Sequence, residues 1–177
     1  MEFPVCTFDL RTGVLCSKCE AKVRSGELTQ TDLTVMKALL EYEKREPRIS
    51  SLSYVRSFKL DNKLYVVLRE GGPSRLQPNI IEKMGEEVSR ATKLETYFVE
   101  EFRDLNRFIQ GLVSPARVVA VNKVWLPDQT EEIRVVVDDE RSLKTPPKLL
   151  SELLRNVKGV SVSFEFIRKK VYTRSER

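Results

Sequence analysis

The sequence predicts a mixed α/β (α+β) protein in which one small unit, ordered α-β-β-α-β, is used twice. Three observations carry this. Lys63-Leu64-Tyr65-Val66-Val67-Leu68-Arg69 lines up with Glu132-Ile133-Arg134-Val135-Val136-Val137-Asp138, and both runs are rich in residues that suit a pleated sheet. Each run is followed by a polar loop, a helix that starts at proline, and one more strand. Each is preceded by an amphipathic helix and the first arm of a hairpin. Ser114-Pro115-Ala116 reads as the joint between the copies.

The elements follow in chain order. Residues 1–28 hold all three cysteines, Cys6, Cys16 and Cys19. Cys16-Ser17-Lys18-Cys19 has the spacing that presents two thiolates to one metal ion. Cys6-Thr7-Phe8-Asp9 repeats that gap with a carboxylate in the second place, and Gly13 supplies a sharp reversal between the halves. Cys6, Asp9, Cys16 and Cys19 would make a tetrahedral zinc site of three sulfurs and one oxygen. Other readings are ordinary reduced thiols, a redox pair, or water as the fourth ligand. The segment is too short for a core of its own, which is where a metal cross-link is expected.

Residues 29–46 form a helix capped by Thr29 or Thr31, with Asp32 in its first turn and Leu33, Met36, Leu39, Leu40 and Tyr42 on one face. Pro47 ends it. Residues 51–69 form a hairpin turning at Asp61-Asn62. Pro78 begins a helix that buries Ile80, Ile81, Met84 and Val88, and Leu94 to Val99 form the closing strand. In the second copy, residues 104–113 carry Leu105, Phe108, Ile109 and Leu112 at helical spacing. A hairpin spans Val118 to Val137, turning through Leu126-Pro127-Asp128-Gln129-Thr130, with Trp125 expected to pack over that turn. A leucine-rich helix closed by Gly159 then leads to the strand Val160, Val162, Phe164, Phe166. The expected segments are therefore 1–28, a zinc knuckle; 29–103 and 104–168, the two α/β units; and 169–177, a basic tail.

Composition narrows the function. With 31 Lys and Arg against 26 Asp and Glu, the net charge is +5, a mild excess compatible with a polyanionic partner. No run approaches the roughly 20 apolar residues of a membrane span, and the first residues lack a basic stretch followed by an apolar one. A cytoplasmic protein with no membrane partner is expected. Histidine is absent, which removes the commonest general base and every histidine-activated nucleophile. The expectation is that the chain is not an enzyme. Asp138-Asp139-Glu140 reads as a solvated loop rather than a magnesium site.

The repeated order resembles paired type II KH domains, and in particular the archaeal NusA-like transcription factors. The residues that carry the likeness are Val99-Glu100, Phe108-Ile109, Ser114-Pro115-Ala116-Arg117-Val118, the run from Arg134 to Asp139, and Gly159-Val160-Ser161-Val162. The resemblance covers about residues 48–168 and leaves the cysteine segment outside. It implies two tandem KH type II-like units and an RNA-binding, transcription-associated role of the elongation or termination kind. KH domains hold single-stranded nucleic acid beside a GxxG loop. Here the corresponding loops are Arg75-Leu76-Gln77-Pro78 and Thr145-Pro146-Pro147-Lys148, without glycine and with prolines that remove N–H donors. Contacts to RNA would then be weak and non-canonical, made by Arg69, Arg75, Lys144, Lys148 and the tail residues Arg168, Lys169 and Lys170. The alternative is an adaptor to RNA polymerase or other RNA-processing proteins that has lost RNA binding.

Overall fold

Thr29 starts the first long helix by a reciprocal cap. Its hydroxyl accepts from the Asp32 amide at 3.2 Å while Asp32 accepts from the Thr29 amide at 2.7 Å. In the computed structural model, which describes residues 1–167, this helix follows two short ones. These are α1 (Thr7–Thr12), α2 (Ser17–Arg24) and α3 (Gln30–Glu43). A 3₁₀ turn (Pro47–Ser51) leads to β1 (Tyr54–Leu60), β2 (Lys63–Arg69), a second 3₁₀ turn (Pro73–Arg75), α4 (Pro78–Thr92) and β3 (Glu95–Glu101). The second copy runs α5 (Leu105–Val113), β4 (Val118–Trp125), β5 (Glu131–Val137), a 3₁₀ turn (Glu140–Ser142), α6 (Pro147–Lys158) and β6 (Val162–Phe166).

Both copies make a three-stranded mixed sheet with the same connectivity. β1 pairs antiparallel with β2, and β2 parallel with β3; β4, β5 and β6 repeat this. Asp61 and Asn62 take φ of 51° and 63°, the two left-handed residues of a tight hairpin turn. The parallel pairs need a crossover, which α4 and α6 supply. The two compact units are Met1–Arg103 and a second that starts at Asp104. The change of unit therefore falls at the N-cap of α5. Ser114-Pro115-Ala116, expected as the joint, lies inside the second unit between α5 and β4, because α5 folds with the strands that follow it.

In the first unit Leu64, Val66 and Leu68 of β2 meet Val35, Met36 and Leu39 of α3 and Ile80, Met84 and Val88 of α4. Each such side chain contributes about 1.5–3 kcal/mol on full burial. Val5, Leu10, Cys19 and Leu28 from the cysteine segment join this same cluster. In the second unit Val135, Val137 and Val162 are buried with Phe108, Ile109 and Val113 of α5 and four leucines of α6. Among the described residues no helix is long and apolar enough to cross a membrane.

Candidate metal centre and basic loops

Cys6 and Cys16 are the N-caps of α1 and α2. Asp9 and Cys19 follow three residues on, in the first turn of each helix. The two-residue gap in each half is thus the i, i+3 spacing that puts side chains on one helical face. The four side chains are presented by two helix starts. Gly13 (φ 76°) closes α1 in the left-handed conformation and turns the chain toward α2. One ligand atom from each of Cys6, Asp9, Cys16 and Cys19 lies within 4.8 Å of all the others.

The halves are cross-tied. The Cys6 amide donates to Cys19 Sγ at 3.4 Å, and the Cys16 amide donates to Asp9 Oδ2 at 3.0 Å. Cys19 and Asp9 are buried, while Cys6 and Cys16 are exposed. The Cys16 amide, helped by the Cys19 and Cys16 thiols, holds the Asp9 carboxyl below its ordinary range. Burial pushes the Cys19 thiol up to about 12, against the Cys6 amide, which favours the thiolate. A buried thiol beside a carboxylate and two further sulfurs has the chemistry of a cation site, since a coordinating metal deprotonates such a thiol outright. The four residues are compatible with a metal centre such as zinc.

The two glycine-less loops take similar places, each leading from a 3₁₀ turn into the first residues of the crossover helix. Arg75 ends the first 3₁₀ turn and is exposed; Lys144 and Lys148 are exposed on either side of the start of α6. Neither N-cap, Gln77 or Pro146, makes a side-chain capping bond. Arg69 is exposed at the end of β2 and lines a mixed-charge recess with Glu70, Glu101 and Arg103. Arg168, Lys169 and Lys170 lie outside the described residues.

Several functions of single residues were not visible in the sequence. Glu100 accepts from the Gly71 amide at 2.7 Å and the Ser74 hydroxyl at 3.2 Å, so it clamps the loop that ends in Arg75. Asp138 accepts from the Arg117 amide, and Asp139 caps the last 3₁₀ turn through the Arg141 amide, so both serve as turn acceptors. Trp125 does not pack over its turn: it is 66% exposed, with the Lys123 ammonium 5.7 Å from the ring centroid.

No protein-family model matches the chain, and no curated protein matches it. A solved structure described as the crystal structure of APE1850 is similar, with a TM-score of 0.57 at 14% identity, over 78% of this chain and 100% of that one. At that identity the likeness shows the fold alone.

Proposed function

We propose that the chain is a zinc-stapled, NusA-like RNA-binding factor with two KH-like units, acting without enzymatic chemistry in the cytoplasmic transcription machinery. The observation that supports it most is the repeat of one feature: in both units exposed cations flank the loop that enters the crossover helix, Arg75 in the first and Lys144 and Lys148 in the second. These long side chains reach phosphates without the close backbone approach that glycine permits. The ion proposed for the cysteine cluster is one structural Zn²⁺. Three sulfurs and one carboxylate oxygen fill a tetrahedral shell and leave no position for a substrate.

The test is a titration with single-stranded RNA over a range of salt. The affinity should be weak and should fall by about 0.7 log unit per log unit of salt for each phosphate neutralised. Absence of binding at about 20 mM salt would sink the RNA reading.

A second reading, an adaptor to RNA polymerase or RNA-processing proteins, is favoured by one observation. Pro146 and Pro147 fill the N-cap and first position of α6, where KH loops present N–H groups to phosphate.

A further inference from the structure

The hairpin end of the second unit combines an uncovered indole with a carboxylate directly across the strand pair from it. Trp125 is the chain's one tryptophan, and a side chain of that size is usually largely buried in a folded protein. Glu131 sits directly across the strand pair from Trp125, and Glu132 across from Val124. Asp128 lies in the connecting turn. Alternation along the strands puts Trp125 and Glu131 on one face of the sheet and Val124 and Glu132 on the other. The preceding cation, Lys123, shows what the place accommodates: its ammonium lies 2.5 Å from Glu131 Oε2 and 5.7 Å from the Trp125 centroid.

We propose that this hairpin end is a docking site for a cationic segment of a partner protein, read by the Trp125 ring and the Glu131 carboxylate. Indole is the best aromatic face for a cation, and a carboxylate beside it adds a directional acceptor. An arginine suits the pair better than the resident lysine, because its planar guanidinium stacks on the ring and forks onto the carboxylate at once. A single-stranded nucleic acid fits poorly, since its phosphates would meet Glu131 beside the ring and the turn residue Asp128. The site also opposes the chain's net charge of +5, so attraction of a cation there is local rather than a general property of the surface. The inference stands whether or not Arg75, Lys144 and Lys148 contact phosphate.

The test uses Trp125 as its own probe. The full chain is titrated with a deca-arginine peptide, a deca-lysine peptide and a single-stranded RNA at about 0.15 M salt, where exposed charges more than about 8 Å apart are screened. Deca-arginine should shift or quench the emission saturably and bind more tightly than deca-lysine. Glu131→Gln should weaken binding about tenfold. Trp125→Ala should do the same when binding is followed by anisotropy of a labelled peptide. Far-UV circular dichroism checks that the variants keep the fold, as expected for exposed and half-exposed positions. Equal binding by the variants and the parent, or no emission change with the peptides, overturns the proposal. Quenching by RNA and not by peptide overturns it in favour of base stacking on the indole.

Discussion

The Cys16 amide donates to Asp9 Oδ2 at 3.0 Å, the mirror of the Cys6 amide's bond to Cys19 Sγ at 3.4 Å. Each helix cap serves the ligand in the first turn of the other helix. Asp9 is therefore both a candidate ligand and an acceptor that joins the halves. Purified protein should carry about one zinc per chain, and stripping it with a chelator should lower the unfolding temperature by on the order of 10 °C, a few kcal/mol for a chain of this size. Cys16→Ala should weaken binding more than Asp9→Ala, because water replaces a carboxylate more easily than a thiolate. Metal analysis showing none, with an unfolding temperature indifferent to chelator, would remove the zinc claim.

Asp32 ties the start of α3 to β1. Beyond its cap with Thr29, its Oδ1 accepts from the Ser57 amide at 2.7 Å, the Ser57 hydroxyl at 2.9 Å and the Tyr54 hydroxyl. Asp32→Ala should cost roughly 3 kcal/mol or more, since it removes a helix cap and strands buried donors. Urea unfolding measures it; a loss below about 1 kcal/mol would mean the network is dispensable.

The same carboxylate gives a pH signature. Burial alone would raise its pKa, but the bonds from Tyr54, Thr29 and Ser57 outweigh burial and hold it below the ordinary 3.8. A depressed folded-state pKa contributes stability that is complete above the unfolded value and lost as pH falls through the folded one. Stability should therefore decline below about pH 4, and Asp32→Asn should flatten that part of the curve while lowering the plateau. An unchanged acid limb in the variant would assign the effect to other groups.

The crossover helices end alike but with different residues. Lys93 closes α4 at φ 61° and Gly159 closes α6 at φ 68°. A side chain is strained in that conformation and glycine is not. Lys93→Gly should stabilise by about 0.5–1 kcal/mol and Gly159→Ala should destabilise by about 1 kcal/mol. Nothing lies within 4 Å of a Cβ built on Gly159, so its cost would be backbone alone. Chemical denaturation of the pair decides it, and effects of the same sign would refute the assignment.

If RNA binds, Lys144→Glu with Lys148→Glu should reduce affinity for all sequences alike, and Arg75→Glu should do so to a smaller degree. Installing glycine at Thr145 and Lys148 should leave sequence preference unchanged, because Pro146 and Pro147 still lack donors. Filter-binding on a panel of RNA sequences would expose the opposite outcome, a selective loss or a gain of preference.

The repeated frame was legible because apolar runs of β-branched residues and proline-started helices leave strong local marks. The Lys63 to Arg69 and Glu132 to Asp138 runs lie on equivalent central strands for that reason. The four clustered residues were legible from spacing. The two helices that present them were not, since each is short, lacks a capping side chain, and α2 is polar through most of its length. Asp32 read only as a first-turn acid because its partners Tyr54 and Ser57 are brought by the sheet, not by sequence neighbours. Trp125 misled because large aromatic residues are ordinarily covered, and nothing near it in sequence marks it as exposed.

The depth at which each sulfur sits also offers a way to count loaded molecules. With Cys19 buried and Cys6 and Cys16 exposed, a thiol-alkylating reagent meets two sulfurs quickly and the third only when the fold opens. A mass spectrum after brief alkylation would then divide a preparation into shielded chains, doubly tagged chains and triply tagged, opened ones, a census of single molecules that a bulk metal assay averages away.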